Sequence, residues 1–408
     1  MSKLDELIQE LCPDGVEYIR MGDLYTIKGR VGWQRLIKNE YKTKGDYYLV
    51  TGTDITPNHQ IDFTRCYYVD KERYEQDDNI QLKNGDIILT KDGTIGKVAI
   101  IEGMDKPATL NSHLLLLRDN TGRVMNRYLM HLLLSKTFLS FVLKNATKGT
   151  IVGLPQKTIA EFRMPVPPLP VQQEIVRILD SFTELTAELT AELEARKKQY
   201  QYYRDYIITA HNYPHVRLGE LCEIGDGLHG TPSYDEQGEY YFVNGNNLSG
   251  GKIVVDNKTK KVNSRESNKY KKNFCDTIFM SINGTIGNMA LYNGEKIILG
   301  KSAAYFTVQS QHLNKYYLYY YLQTQYAHQY YEANLTGSTI KNLGLKALRD
   351  FQIPLPSLNT QTQLVEIISH FHELSANIAT GLPAEIAARQ KQYEYYRDKL
   401  LTFKAYCA

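Results

Sequence analysis

Long apolar runs, clustered cysteines and a strong excess of charge of one sign are all absent from this 408-residue sequence. Its most apolar run, Leu114–Leu117, is far too short to cross a bilayer, so we expect no membrane partner. The five cysteines are scattered, without a CxxC pair or a Cys/His cluster, which predicts neither a disulfide framework nor a zinc site. The first residues do not form a secretory signal pattern, and we therefore expect a cytoplasmic protein. A net charge of +3 is small, so any nucleic-acid partner must meet local basic patches.

Motifs for cofactor or nucleotide chemistry are missing as well. Gly225–Gly230 has GxGxxG spacing, but Thr231–Pro232 follows it and no helix begins there, as a dinucleotide site requires. Gly294–Ser302 has five residues between its glycines instead of the four of a P-loop. The tetrapeptides Asn-Pro-Pro-Tyr and Asp-Pro-Pro-Tyr, which amino-methyltransferases use, do not occur. We therefore predict no catalytic residue, no metal and no cofactor.

What the sequence does contain is a long internal repeat. The segment from Pro165 to Thr209 returns from Pro354 onward, and apolar residues step by three and four along both copies: Ile175, Ile178, Phe182, Leu185 and Leu189 in the first, and Leu364, Ile367, Phe371, Leu374 and Ile378 in the second. This spacing predicts two long helices, each roughly 50 Å in length, that pack along one another. Gly381–Pro383 interrupts the second copy, and we expect a kink or a break there.

Two strand-rich segments alternate with these helices. Short β-type runs separated by Gly, Asn, Asp and Pro predict a mixed, strand-rich domain in each half. The framework repeats: Tyr47–Ile55 matches Tyr240–Leu248, and Asp86–Gly96 matches Asp276–Gly287 with one residue inserted. The loops between the matched segments differ freely. A shared scaffold with different loops indicates two related recognition tasks with different targets.

Three features occur in both copies and together point to a family. They are the helix-start segments Leu169–Gln173 and Leu358–Gln361, the segments Ala195–Asp205 and Ala388–Asp398, and the GTIG turns that begin at Gly93 and Gly284. In these features, and over nearly the whole chain, the sequence resembles the DNA-specificity subunit of type I restriction-modification systems.

The resemblance implies an α+β fold in which two strand-rich target recognition domains alternate with two long helices that pair as an antiparallel coiled coil. Each domain would read one half of a bipartite double-stranded DNA site, and the helix pair would set the spacing. Two methyltransferase (modification) subunits would dock on the helices, restriction subunits would join through the complex, and the chain itself would not be an enzyme. The implied parts are a first recognition domain with an N-terminal helix (1–164), a first spacer helix (165–209), a second recognition domain (210–353) and a second spacer helix (354–408).

Candidate DNA contacts fall into two kinds. Phosphate contacts are predicted at the basic residues Lys258, Lys260, Lys261, Arg265, Lys269, Lys271 and Lys272. Further DNA contacts, including base readers, are predicted at Asn244, Asn246 and Asn247 in the second half and at Arg30, Trp33, Arg35 and Lys91 in the first. The alternatives are a solvated loop for the lysines and ordinary turn chemistry for the asparagines.

Candidate partner contacts lie near the end of each helix. They are Arg196, Lys198, Tyr203 and Arg204 in the first copy and Arg389, Lys391, Tyr396 and Arg397 in the second. The tyrosines of these ends either seal the helix pair against the neighbouring domain or offer an aromatic surface to a partner subunit. Two rival functions also stay open, namely a self-contained DNA methyltransferase or nuclease and a purely structural coiled-coil scaffold.

Overall fold

The computed structural model describes residues 2–147, 153–210, 213–263 and 272–406, apart from the side chains of Trp33 and of residues 374–380. The chain divides into two compact units. The first comprises Met1–Glu192 and Leu382–Ala408, and the second comprises Leu193–Gly381. Both long helices cross from one unit to the other, so each contributes a segment to each unit.

The helices alternate with groups of strands, as the sequence predicts. In chain order they are α1 (Lys3–Leu11), α2 (Met21–Leu24), α3 (Lys71–Glu75), α4 (Asn126–Leu133), α5 (Lys136–Asn145), α6 (Gln156–Ala160), α7 (Leu169–Thr209), α8 (Leu218–Leu221), α9 (Lys315–Tyr321), α10 (Gln325–Ala333), α11 (Leu345–Asp350) and α12 (Leu358–Leu400).

The described strands of the first unit form three sheets. They are β1 (Glu17–Arg20), β2 (Tyr25–Lys28), β3 (Tyr47–Val50), β4 (Tyr67–Val69), β5 (Ile87–Thr90), β6 (Val98–Ile100), β7 (Ala108–Leu110), β8 (Leu114–Asp119) and β9 (Arg163–Val166). The sheet orders are β2-β8-β5-β6, β4-β3-β7 and β1-β9.

The second unit repeats this arrangement. Its strands are β10 (His215–Arg217), β11 (Cys222–Asp226), β12 (Tyr240–Val243), β13 (Leu248–Ser249), β14 (Lys252–Ile253), β15 (Lys261–Val262), β16 (Thr277–Ser281), β17 (Met289–Leu291), β18 (Ile297–Leu299), β19 (Ala303–Val308), β20 (Leu335–Thr336), β21 (Asn342–Leu343) and β22 (Gln352–Pro354). The sheets β11-β19-β16-β17, β15-β12-β18 and β10-β22 correspond to the three sheets of the first unit. The described part of the second unit also contains two separate two-stranded sheets, β13-β14 and β20-β21. The α+β fold class and its internal repeat are confirmed.

The apolar run of the sequence is the central strand of a sheet. Leu114–Leu117 lies in β8, between β2 and β5, and all four leucines are buried. A strand that is covered on both faces has no solvent side, so its sequence reads as a continuous apolar run and not as an alternation. In the second unit β19 occupies the same place between β11 and β16.

The start of each long helix packs into a domain core. Val171, Ile175 and Leu179 are fully buried in α7, and Leu364 and Ile368 are buried in α12. In the second copy Leu364 is buried in the domain core together with Ile368, and Ile367 is 46% exposed, whereas Phe371, at 39% exposure, packs on the other long helix as the seam predicts. The side chains of Leu374 and Ile378 lie outside the described residues.

Within each unit the two helices touch through aromatic rings. In the first unit Phe182 stacks on Tyr396, with ring centroids 5.5 Å apart. In the second unit Phe371 stacks on Tyr203 at 5.8 Å, and Tyr200 lies 5.5 Å from His372. Residue numbers rise along one helix as they fall along the other, which is the antiparallel arrangement.

The helix α12 continues through Pro383. Its α-helical hydrogen bonding runs from Leu358 to Leu400, with Pro383 inside it. A proline in a helix costs about 3 kcal/mol. Buried residues on both sides, Ile368 in the second unit and Tyr393 in the first, hold the helix on either side of this position. The predicted break at Gly381–Pro383 is wrong, while a kink there stays a prediction.

A buried glutamine joins each long helix to its domain. Gln172 Nε2 donates to the carbonyls of Pro167 and Arg123, and its Oε1 accepts from the Met125 amide. Gln361, 189 residues later, repeats all three bonds. Its Nε2 donates to the carbonyls of Pro356 and His312, and its Oε1 accepts from the Asn314 amide. Both side chains are completely buried.

Neither long helix is a membrane span. Among the helices of the described residues, none is long and apolar enough to cross a bilayer. Within the same described ranges, no three His, Cys, Asp or Glu residues come together as a metal site would require.

Candidate DNA interface

Arg30 is a core residue, which corrects the prediction that it contacts DNA. It is only 2% exposed. Its guanidinium donates to the Leu110 carbonyl at 3.1 Å, to Thr109 Oγ1 at 3.2 Å and to Gln76 Oε1 at 3.3 Å. Burial lowers the pKa of this guanidinium. Because its donors are used inside the fold, Arg30 holds the segment in place.

Arg35 is exposed on that segment, directly after the short 3₁₀ helix Gly32–Gln34. The segment is held by Gln34, which is 3% exposed and donates from Nε2 to Asp77 at 3.2 Å. The side chain of Trp33 lies outside the described residues. Of the candidates in this segment whose side chains are described, Arg35 is the exposed one, and its contact with DNA stays a prediction.

Lys91 lies in the turn that follows β5. Gly93 in this turn has φ 69°, and Gly284 in the matching turn after β16 has φ 74°, a backbone conformation that favours glycine. Lys91 is half-buried, and burial lowers its pKa. Next to it, the Asp92 carboxylate bonds to Nδ1 of His113. The sequence did not single out this aspartate–histidine pair.

The three asparagines after β12 divide into two roles. Asn247 is structural: its Oδ1 accepts from the Asn244 amide at 3.0 Å, and its Nδ2 donates to the Val254 carbonyl at 3.1 Å. Asn244 accepts from Ser302 Oγ at 3.1 Å and is half-buried. Asn246 is exposed at the tip of the turn. Turn chemistry therefore explains Asn244 and Asn247, and a base contact stays a prediction for the exposed Asn246.

The lysine-rich segment is only partly described. Lys258 and Lys260 are exposed, and half-buried Lys261 lies over a tyrosine ring. Lys272 is tied to Tyr305, because its Nζ donates to the hydroxyl at 2.8 Å and sits 4.3 Å from the ring centroid. The predictions for Arg265, Lys269 and Lys271 lie outside the described residues.

A pocket of about 490 Å³ in the second unit gathers polar residues that the sequence did not single out. It is lined by Asp226, His229, Asn283, Lys301 and Ser302, among others. His229 Nε2 lies 2.7 Å from Asp226 Oδ2, and Asn283 Nδ2 donates to the Lys301 carbonyl at 3.3 Å. This unit therefore also has an aspartate–histidine pair.

Two glycine-rich segments that fail as nucleotide motifs build this pocket. The Leu228 amide donates to the Leu299 carbonyl at 2.7 Å, and the Lys301 amide donates to the Leu228 carbonyl at 3.1 Å. A Cβ on Gly227 would overlap the Leu299 carbonyl. Glycines in these two segments thus permit the two backbones to approach closely. These glycines are the sequence feature from which the pocket could have been predicted.

Arg204 is internal, which corrects its assignment as a partner contact. It is 7% exposed, donates to the Gln323 carbonyl at 2.6 Å and pairs with Asp205 at 2.7 Å. Asp205 in turn accepts from the Gln325 amide at 2.8 Å, at the start of α10. A carboxylate at this position satisfies an amide that has no partner within its own helix.

Arg397 repeats this clamp in the first unit and corrects the matching assignment. It is 7% exposed and pairs with Asp398 at 3.0 Å. Asp398 accepts from the Lys136 amide at 3.1 Å, at the start of α5. Tyr393, in the turn before, is 4% exposed and shares a 2.9 Å hydrogen bond with His131. These residues seal the helix against the domain.

The other candidates at the helix ends remain accessible. Arg196, Lys198 and Lys391 are exposed, and Arg389 is half-buried in a 3.3 Å ion pair with Glu385. Tyr203 and Tyr396 are 39% and 40% exposed although each stacks on a phenylalanine of the other helix. These tyrosines therefore pair the helices and still show part of each ring to solvent.

A family model described as the type I restriction modification DNA specificity domain matches residues 13–196 and again residues 211–388. The chain belongs to this family. The model's domain occurs twice, as the internal repeat requires, and the resemblance seen in the sequence is confirmed.

Relatives within the type I specificity family are similar in sequence over long stretches. The type I restriction enzyme EcoR124I/EcoR124II specificity subunit of Escherichia coli is 35% identical over 247 residues, which cover 58% of this chain and 60% of that protein. The chain thus spans less than two thirds of that relative. A Haemophilus influenzae protein, named as a type I restriction enzyme specificity subunit, is 31% identical over 303 residues, or 69% of this chain and 73% of its own length.

A solved structure supports the fold of this type I specificity family member. The description of that structure concerns the structural basis of complex assembly and conformational transition of the type I R-M system. One of its chains aligns with this protein with a TM-score of 0.61. The alignment covers 96% of this chain and 98% of that chain at 18% sequence identity, which shows a common fold.

Proposed function

We propose that this chain is the DNA-specificity subunit of a type I restriction-modification system and reads one half of a bipartite double-stranded site with each unit. The observation that carries the proposal is a loop frame built twice and filled with different side chains. The turn after β5 carries Lys91 and Asp92, whereas the matching turn after β16 carries Ile282, which is buried in the core, and Asn283 in place of Asp92. Equal frames with different donors and acceptors suit two different half-sites.

The proposed DNA surface combines positioning and reading groups. Arg35, Lys258 and Lys260 are exposed cations that would contact phosphates and make binding depend on salt. Asn246 is exposed and offers the paired donor and acceptor that an adenine edge requires. On this proposal residues 1–164 and 210–353 are the two recognition domains, and 165–209 and 354–408 are the two spacer helices.

We propose that the long helices hold the two readers at a fixed spacing and dock two methyltransferase subunits. A 41-residue helix such as α7 is about 60 Å long. Half-sites one turn of B-DNA apart are separated by about 34 Å, so a helix pair is long enough to set such a distance. The docking surface would include exposed Arg196, Lys198 and Lys391, together with Tyr202 and Tyr395, which are 65% and 61% exposed.

Methyl transfer and cleavage would come from the partner subunits. The specificity chain would recognise the DNA sequence, the methyltransferase subunits would methylate the target base, and restriction subunits would join through the same complex. Such a complex would act on DNA in the cytoplasm.

Sequencing of modified bases in cells with and without this gene tests the proposal directly. Modification of one bipartite motif should depend on the gene. Exchange of residues 21–160 for those of a relative should replace one half of that motif and leave the other half and the spacer unchanged. A change in both halves would contradict the assignment of one half-site to each unit.

Two further outcomes separate the rival functions. If the purified chain methylates DNA with S-adenosylmethionine and no partner, it is an enzyme in its own right. If the chain with its methyltransferase subunits shows no preference among DNA sequences, a structural scaffold explains it better.

A further inference from the structure

We infer that the aspartate–histidine pair of each unit reads an exocyclic amino group in the major groove, either adenine N6 or cytosine N4. The pairs are Asp92–His113 in the first unit and Asp226–His229 in the second. This inference rests on the proposed DNA-reading function and assigns particular groups to it.

The two pairs occupy the same place in the repeated frame but come from different chain positions. Asp92 lies in the turn after β5 and His113 in the loop before β8. Their counterparts in the second unit are Asn283 and Ser302, which carry neither a carboxylate nor an imidazole. There Asp226, at the end of β11, and His229 bring the same two groups to the pocket that Asn283 and Ser302 line.

The frame around both pairs is held by equivalent backbone hydrogen bonds. In the first unit the Lys91 amide donates to the His113 carbonyl at 3.0 Å, and the Leu154 amide donates to the Lys91 carbonyl at 2.7 Å. In the second unit the Ile282 amide donates to the Ser302 carbonyl at 2.9 Å, and the Leu343 amide donates to the Ile282 carbonyl at 2.9 Å. Three chain segments are thereby tied together in each unit. A frame of this kind gives the side chains the fixed positions that recognition requires.

With a neutral imidazole, such a pair offers a hydrogen-bond acceptor. An ionised carboxylate can only accept, so the ring nitrogen that faces it carries the hydrogen. In a neutral imidazole the other nitrogen is then an acceptor: Nδ1 in His229 and Nε2 in His113. Among the base atoms of the major groove, only the amino groups of adenine and cytosine donate hydrogen bonds. In its neutral form the pair therefore matches an amino group and mismatches the acceptors of guanine and thymine.

Exposure and charge fit a contact with DNA. The side chains of His113 and His229 are 48% and 75% exposed, and those of their aspartates are 22% and 23% exposed. The histidines are thus open to a ligand while the carboxylates are held behind them. Each pair also has a lysine nearby, Lys91 beside Asp92 and Lys301 in the pocket of Asp226, which offsets the negative charge near phosphates.

The test selects binding sites for the full-length chain from a pool of random DNA duplexes. The variants are Asp226→Ala, His229→Ala and Asp92→Ala, and the matched control is Asp350→Ala, an exposed carboxylate at the end of α11 in the second unit. His229→Ala removes an exposed side chain, so it tests the site even where Asp226→Ala lowers stability. Thermal unfolding reports the folding of each variant.

Wild type and the control should select one bipartite motif. Asp226→Ala and His229→Ala should each weaken the preference for an amino-bearing base about tenfold at one position of one half-site, and Asp92→Ala should do so in the other half-site. The identity of the base at each position distinguishes adenine from cytosine.

A wild-type motif that all three variants retain unchanged would overturn this inference and leave the proposed function intact. Loss of preference for guanine or thymine, in place of an amino-bearing base, would also overturn it. Failure of the wild type to select any motif would instead overturn the proposed DNA-reading function.

Discussion

His131 in the first unit and Tyr320 in the second occupy equivalent positions, 189 residues apart, yet they build different buried networks. His131 bonds through Nε2 to Asp180 and through Nδ1 to the Tyr393 hydroxyl, both at 2.9 Å. Tyr320 bonds to Ser369, the counterpart of Asp180, at 3.2 Å. The same junction between domain and helix is therefore ionisable in one unit and neutral in the other.

The glutamine junctions show the opposite behaviour. Gln172 and Gln361 make the same three bonds to the same backbone positions. An amide side chain is the group that can both donate and accept here, and the backbone groups it serves occur in any sequence with this fold. The hydrogen bonds from a helix glutamine to the domain backbone are thus the same in the two units, whereas the hydrogen bonds between side chains at this junction differ.

The largest effect is expected from removal of these glutamines. Gln361→Leu removes the partner of the Asn314 amide and of two carbonyls, all at buried or partly buried hydrogen bonds, and we expect a loss of about 3 kcal/mol in the free energy of unfolding. Gln172→Leu should cost a similar amount in the first unit. Chemical denaturation measures both changes.

Neighbouring glutamines provide the control for this comparison. Gln173 and Gln363 are exposed, so Gln173→Leu and Gln363→Leu should change the free energy of unfolding by less than about 0.5 kcal/mol. If one buried glutamine proved dispensable and the other essential, the two junctions would not be equivalent.

A smaller, pH-dependent effect should distinguish the two units. Burial lowers the pKa of His131 below its ordinary 6.5, although the bond to Asp180 opposes this. The unfolded chain then binds this proton more readily than the folded chain. Stability should be complete above pH 6.5 and fall as the pH drops below it, which denaturation across this range measures.

The variant that carries both His131→Tyr and Asp180→Ser copies the neutral network of the second unit and should reduce this pH dependence. Arg127 also faces Asp180, at 3.8 Å, and Arg397 lies over the Tyr393 ring, so both should be retained. His59 and His328 also have lowered pKa values and give a slope of the same sign in every variant. An unchanged slope in the double variant would show that His131 does not titrate with folding.

The smallest expected effect concerns the exposed cations. Lys258→Ala in the second unit and Arg35→Ala in the first should each reduce the slope of log binding constant against log salt by about 1, without change in sequence preference or stability. Lys346→Ala, an exposed lysine of α11, is the control and should leave the slope unchanged. A salt titration of DNA binding makes the measurement. Equal slopes for all three variants would remove Lys258 and Arg35 from the phosphate contacts.

Periodicity predicted the elements better than it predicted the site. The steps of three and four from Ile175 and from Leu364 led to the two long helices because a helix that packs on one side must repeat its apolar residues at that spacing. The choice of Arg30, Arg204 and Arg397 as surface contacts failed because a charged residue in sequence looks the same whether it meets solvent or a buried carbonyl. Burial depends on segments far away in the chain, as the bond from Arg30 to Leu110 shows.

The sequence by itself determined the doubled plan of the protein, its family and the order of helices and strands, because these depend on local spacing and on comparison of the chain with itself. Only the tertiary structure decided that Pro383 lies inside a continuous helix and that Asp226 and His229 share a pocket with Asn283. The physical reason is distance along the chain. Groups 54 to 57 residues apart in sequence, such as Asp226 or His229 and Asn283, become neighbours only after the strands between them have paired.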